Sequence, residues 1–355
     1  MKNIPINKGN YTMETQEREQ LFEQYRGEGW EEEYKKYRSD WVKNAKEQIV
    51  SEWPLLVDIE TSSVCNLRCP MCYTLTEEFK KKVNAKLMDK ELFYKIIDEI
   101  GGHVPAIRLS LRGEPTLHPE FINFIKHAKE KGIKEVSFLT NSSKLTDDYI
   151  RELILVGADW ITVSIDGVGE VYNGIRKPLK FEETYQRIKR FSKIKKELGV
   201  HRPVIKVQGI WPAVKQNLEE YYNTFESITD LIAFNPLIDY LDNDNDIIYE
   251  ENFSCPQLYQ RIIVAADGKV LMCANDEDNM GIVGNLHEES LYNIWHGEKL
   301  QKIRDIHKQE AGFKQLPICR KCFLPRATED NEEATLNGRK IIIKNYVGRT
   351  QEIGR

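Results

Sequence analysis

From Pro54 onward the chain alternates short apolar runs with longer amphipathic stretches, and few folds tolerate that rhythm. Runs rich in Ile, Val, Leu and Phe at 55–60, 106–111, 134–140, 160–165, 204–210 and 231–234 read as strands. Between them, 88–101 carries Leu92, Phe93, Ile96, Ile97 and Ile100 on one helical face, and 120–131 and 181–198 repeat the pattern. Strand–helix alternation requires parallel strands with helices outside. Six such units are fewer than the eight that close a barrel. The expected class is α/β: a partial (β/α)6 TIM-like barrel over residues 54–240, open on one side.

The flanks differ in kind. Residues 1–53 are charged, with Trp30, Tyr34, Tyr37 and Trp41 near helical spacing. Aromatic residues so spaced are usually core, so a helical segment packed on the barrel is expected, with a substrate lid or partner-binding arm as the alternative. Residues 242–246, rich in Asp and Asn, read as a linker. In 250–325, apolar runs at 261–265 and 269–272 flank Ala266-Asp267-Gly268, a hairpin signal, and a helix is expected near 291–306. Residues 326–355 read as a C-terminal tail.

Lys and Arg number 51 against 56 Asp and Glu, and this mixed, mildly acidic balance argues against counterion-driven nucleic-acid binding. Lys80-Lys81-Lys82 reads as a solvated face. The first residues are polar and include Pro5 and Gly9, with no apolar leader. No apolar run approaches the roughly 20 residues of a membrane span, so no membrane association and a cytoplasmic location are expected.

There are seven cysteines. In a reducing compartment, clustered cysteines are more often metal ligands or catalytic groups than disulfides. Cys65, Cys69 and Cys72 form a C-x3-C-x2-C run directly after the first strand, at the face where barrels place chemistry. Three thiolates can hold three irons of a 4Fe-4S cube and leave the fourth open. A three-thiolate zinc site or three buried cysteines remain alternatives.

The run, with apolar Met71 before its third cysteine, resembles the signature of radical S-adenosylmethionine (SAM) enzymes. The resemblance implies that SAM chelates the open iron and is cleaved by an electron from a flavodoxin- or ferredoxin-type donor. Arg112-Gly113-Glu114-Pro115 resembles the family's Gly-Gly-Glu motif, with Arg112 in place of the first glycine. Gly113 and Glu114 are thereby implied near the SAM amino group, which carbonyls and a carboxylate suit. Thr140-Asn141-Ser142 stands where relatives carry Thr-Asn-Gly, and Ser164-Ile165-Asp166-Gly167 closes the fourth strand. The resemblance places Asn141 and Ser164 near the SAM ribose and carboxylate. Arg176 is a candidate partner for that carboxylate through charge-assisted hydrogen bonds. For each, the plainer reading is a residue that holds the barrel rim.

Cys255 precedes the hairpin, Cys273 ends it, and Cys319-Arg320-Lys321-Cys322 closes the set. Four cysteines suit zinc or an iron–sulfur cluster equally well. The stretch 255–322, with Asp267-Gly268-Lys269-Val270, residues 281–286 and Ile294-Trp295-His296, resembles the SPASM or twitch extension of radical SAM enzymes. That resemblance implies one auxiliary 4Fe-4S cluster.

With three cysteines on one cluster and four on the other, none is left to return a hydrogen atom as in epimerising relatives. A fully ligated auxiliary cluster suits electron transfer, as in aminocyclitol dehydrogenases. The expected activity is two-electron oxidation of a small polar metabolite such as a sugar or aminocyclitol. A radical epimerase, a peptide-modifying SPASM enzyme and a zinc-binding protein are the alternatives. Residues 1–53 are too short and strand-poor for a winged-helix peptide-binding domain, which weakens the peptide reading. An alcohol oxidised this way loses a proton, and Glu60, Asp166, Lys206, Gln208 and Asp239 near strand ends are candidate acceptors.

Overall fold

The computed structural model describes residues 2–6, 8–237, 247–347 and 353. Asp239 and the expected linker at 242–246 lie outside the described residues. A ten-stranded sheet organises the chain. Its strands are β1 (Tyr11–Thr12), β2 (Leu56–Ile59), β3 (Ala106–Arg108), β4 (Glu135–Thr140), β5 (Trp160–Ser164), β6 (Val204–Ile210), β7 (Leu231–Asn235), β8 (Arg261–Val264), β9 (Lys269–Leu271) and β10 (Ile282–Asn285). β2 to β7 run parallel, each beside its predecessor, as the partial barrel requires.

Alternation along each strand sorts the side chains. Ile107, Val136, Phe138, Ile161, Ile205 and Val207 are fully buried and join the apolar faces of the helices Lys90–Ile100, Phe121–Glu130 and Phe181–Leu198 in one core. The intervening positions, among them Arg108, Thr162, Lys206 and Gln208, line the lumen. Helix starts are fixed locally: Asp89 accepts from Leu92 N at 3.1 Å and Thr146 from Tyr149 N at 3.3 Å.

Both exposed edges of the six-stranded wall are covered, which removes two templates for aggregation. β1 pairs antiparallel with β7, and β8 pairs parallel with β2. From β8 the chain turns antiparallel through β9 to β10, giving the hairpin expected at Asp267-Gly268, where Gly268 has φ +84°. Barrel and extension therefore share one sheet.

The helices Gln16–Gly27 and Glu31–Glu47 close the barrel where the strands begin. Phe22 meets Trp160 edge-on at 5.7 Å, and buried Arg26 donates to both oxygens of Glu135 at 3.0 Å. Trp30, Tyr34 and Tyr37 pack with Leu55, Leu56 and Ala106. These aromatic residues are core.

Two expectations are corrected. The helix expected near 291–306 is two, Leu291–His296 and Glu298–Lys308. The break is at Gly297, extended at ψ 156°, where a Cβ would lie 2.9 Å from Asn293 O. The presumed tail carries β11 (Thr328–Leu336) and β12 (Arg339–Tyr346), paired antiparallel. Asn337 and Gly338, at φ 48° and 75°, make the two-residue turn between them. Among the described residues no helix is long and apolar enough to cross a membrane.

Candidate active site

The loop after β2 carries the first three cysteines to the carboxyl end of the barrel. Cys65, Cys69 and Cys72 line one cavity of about 510 Å³, and Gly113, Glu114, Asn141, Ser164 and Arg176 line the same cavity. Burial pushes the Cys69 thiol up to about 11 and raises that of Cys65. Thiols so placed ionise readily only beside a cation. Among the described residues no set of three or more Cys, His, Asp or Glu closes on a single ion. A cube spreads its ligands over separate irons, so its thiolates need to share a cavity and not a point. The three thiols and the room beside them fit such a group.

Gly113 is required where it stands. At φ +69° a Cβ would lie 2.6 Å from both Ser62 O and Val64 O, the backbone that leads into Cys65. Glu114 N donates to Val64 O at 2.8 Å, strapping the second loop to the cysteine loop. The buried Glu114 carboxylate is held by the protein itself. Its Oε1 accepts from Thr116 N at 3.2 Å, Thr116 Oγ1 at 2.6 Å and Thr140 Oγ1 at 2.7 Å, while among the described residues Oε2 accepts only Asn141 N at 2.7 Å. Burial raises its pKa against these donors. Only Oε2 keeps a lone pair for another donor.

That clamp sets Asn141, whose Nδ2 donates to Asn66 Oδ1 at 2.8 Å and lies 3.9 Å from Cys65 Sγ. Ser142 follows at φ +67°, which explains why glycine suits this position. Arg176 faces the cysteines, with Nε donating to Asp166 Oδ2 at 2.6 Å. Burial alone would lower its pKa, but Asp166 and Cys69 hold it above the ordinary value. Asp166 Oδ1 accepts Ile210 N at 3.1 Å, tying the ends of β5 and β6.

The candidate proton acceptors separate. Asp166 is engaged by Arg176. Glu60 is a fully buried anchor: Arg112 donates to its two oxygens at 2.6 and 2.7 Å, and Ala266 N donates at 3.0 Å. Both candidates are therefore ion-paired, Asp166 to Arg176 and Glu60 to Arg112. Arg112 also donates to Glu277 O at 3.1 Å and Asn279 Oδ1 at 2.9 Å, so the departure from the motif's first glycine ties the barrel rim to the extension. Lys206 and Gln208 line a second cavity of about 510 Å³ deeper in the lumen.

Cys255, Cys273, Cys319 and Cys322 are all buried. Burial pushes each thiol up, Cys255 to about 12; neighbouring cysteines add to the shift at Cys255, Cys273 and Cys319, while the donors around Cys322 oppose it. Leu324 N and Asn275 Nδ2 each point at Cys322 Sγ at 3.4 Å. His307 Nδ1 accepts Cys255 N at 3.3 Å, which leaves its Nε2–H to face Cys319 Sγ at 3.5 Å. Four buried sulfurs with donors aimed at them form an anionic ligand set once deprotonated, and they fit an iron–sulfur group. His307 and Asn275 carry no sequence signal for this role.

The Radical SAM superfamily matches residues 59–228, and SPASM, the iron–sulfur cluster-binding domain, matches 255–323. The chain is a radical SAM enzyme with a C-terminal SPASM domain. Its cofactors are SAM and 4Fe-4S clusters. This radical SAM enzyme is 24% identical over 324 residues to the tungsten-containing aldehyde ferredoxin oxidoreductase cofactor-modifying protein of Pyrococcus furiosus, covering 76% of this chain and 88% of that one. In fold it is similar to BtrN in complex with AdoMet and 2-DOIA, at TM-score 0.54 and 18% identity, over 78% of this chain and 94% of BtrN. It is also similar to Streptococcus suis SuiB bound to precursor peptide SuiA, at TM-score 0.52 and 14% identity, over 82% and 75% of the two chains.

Proposed function

We propose that this radical SAM enzyme dehydrogenates a small polar metabolite, removing two electrons and two hydrogens. Cys65, Cys69 and Cys72 hold the SAM-binding cluster, and Cys255, Cys273, Cys319 and Cys322 hold one auxiliary cluster. The first cluster with SAM supplies a carbon radical able to abstract a hydrogen atom. Gly113 and Glu114 with Asn141, Ser164 and Arg176 seat SAM. Arg176 offers the guanidinium nitrogens that Asp166 does not occupy, and Glu114 offers Oε2. The functional units are taken as 1–53, 54–240, 250–325 and 326–355. A flavodoxin- or ferredoxin-type protein delivers the electron.

The observation that carries the oxidative reading is the burial of all four C-terminal cysteines, close enough that Cys255 and Cys322 raise the pKa of both Cys273 and Cys319. With all seven engaged, no thiol is left to return a hydrogen atom, and a closed cluster is suited to accept the second electron. The lumen supports a small substrate, since the helices Gln16–Gly27 and Glu31–Glu47 floor the barrel and leave a cavity of about 510 Å³. BtrN, whose structure holds AdoMet and 2-DOIA, favours the same reading. The Pyrococcus relative, named for modifying a cofactor, favours a second one, in which the metabolite is a cofactor precursor.

The test is anaerobic incubation of the reconstituted enzyme with reductant, SAM and candidate metabolites, followed by mass spectrometry. The expected product is lighter by two hydrogen atoms, formed alongside 5′-deoxyadenosine. A C255A variant is expected to keep 5′-deoxyadenosine and lose product. Product of unchanged mass carrying solvent deuterium, or turnover only of a peptide, refutes the oxidative small-molecule reading.

A further inference from the structure

The lumen contains a lysine that no carboxylate of the described residues engages. Lys206 sits mid-strand on β6, paired in register with Thr162 of β5, and is 9% exposed. Its Nζ has no hydrogen-bond or ion-pair partner among the described residues and lies 6.0 Å from the Trp160 ring centroid. Buried lysines are rarely left so.

Its neighbours do not neutralise it. Of the carboxylates around this cavity, Glu135 is held by both donors of Arg26, and Glu23 by Arg26 at 3.0 Å and Arg38 at 3.6 Å. Asp58 is held by Arg261, leaving Arg108 with one contact to it at 4.0 Å. Glu19 stands half-buried in the first turn of the helix Gln16–Gly27. Burial, then Arg108 and Arg26, lower the Lys206 pKa to about 7, with no carboxylate opposing them. This cavity is continuous in its lining with the one at the cysteines, since Asn10, Arg108, Leu139 and Arg261 border both. Gln208 borders the lower cavity, and Ser164, its register partner on β5, borders the upper. Lys206 therefore lies one side-chain layer, roughly 7 Å of strand, below Ser164.

We propose that Lys206 and Arg108 seat an anionic group of the substrate, a phosphate monoester or a carboxylate, with the rest of the molecule rising toward the cysteines. This rests on the reading that a small metabolite occupies the lumen, and it narrows that metabolite to an anion.

The test is calorimetric titration of the anaerobically reconstituted enzyme at constant ionic strength, with inorganic phosphate in one arm and malonate in the other. Saturable binding with proton uptake is expected, because an arriving anion recharges Lys206. Lys206→Met is expected to weaken it roughly tenfold or more, and Lys206→Arg to retain it. Arg108→Gln provides a second, independent loss. Preference for phosphate assigns a phosphate monoester; preference for malonate assigns a carboxylate. No saturable binding of either probe, or equal binding in Lys206→Met, overturns the proposal. The wild-type enzyme is assayed for 5′-deoxyadenosine in parallel. If that forms while no anion binds, the anion site alone fails; if none forms, the radical reading fails on its own.

Discussion

Arg112 occupies a position where the family motif has glycine, and replacing it tests whether that departure is structural. Both its side chain and that of Glu60 are 1% exposed, so solvent screens their pair little. Removing one member of a buried pair strands the other and costs about 3–5 kcal/mol. Arg112→Met also forfeits the bonds to Glu277 O and Asn279 Oδ1, at roughly 1 kcal/mol each. Glu60→Gln keeps those bonds but leaves a buried guanidinium without its carboxylate, at about 3–5 kcal/mol. The double variant strands no charge, so it is expected to fall short of the summed single losses by roughly 2–3 kcal/mol. Anaerobic urea unfolding of the cluster-loaded protein, followed by circular dichroism, measures all four corners of the cycle. A coupling below about 0.5 kcal/mol would show that the pair does not fasten the extension to the barrel.

Other substitutions report on the two loops and the lumen. Gly113→Ala forces a Cβ against Ser62 O and Val64 O at positive φ; roughly half of the protein's iron should be lost, and iron analysis after reconstitution checks this. Ser142→Gly relieves φ +67° and removes a buried hydroxyl with no hydrogen-bond partner among the described residues, so it should stabilise by about 0.5–1 kcal/mol in the same urea assay. Lys206→Met should stabilise the substrate-free protein while weakening anion binding. The folded lysine has a pKa lowered to about 7 against an ordinary 10.5, so the unfolded chain holds the extra proton between those values and wild-type stability rises with pH there. The advantage of Lys206→Met is therefore fullest below pH 7 and shrinks toward pH 10, which paired melts at pH 6 and pH 9 will show.

The barrel was legible because its signal is repeated. Val204–Ile210 and Trp160–Ser164 are apolar runs in their own right, and the helix Phe181–Leu198 shows its one-sided face over 18 residues. The cysteine spacings were equally plain, because ligand sets announce themselves in sequence. What escaped depends on long-range partners. Glu60 stands at a strand end as one of several candidate acceptors, and nothing local to it predicts a guanidinium 52 residues away. β11, with the acidic sequence TEDNEEATL, has no Val, Ile or aromatic residue to mark it as a strand, although Asn337-Gly338 ahead of three consecutive isoleucines was a usable hairpin signal. Gly297 was absorbed into a helical pattern because apolar residues recur at helical spacing on both sides of it.

β8 lies against β2 in continuous register from Leu56 and Arg261 to Ile59 and Val264. The strand that delivers the first cysteine loop and the strand that opens the SPASM hairpin are thus rungs of one ladder. Substrate arriving in the lumen can rearrange side chains, but it cannot slide those rungs without breaking a central parallel pairing. On the oxidative reading proposed above, the gap an electron would cross between the two cysteine sets is accordingly a constant of the scaffold, and the rate of that crossing would be retuned only through the short loops that carry the sulfurs.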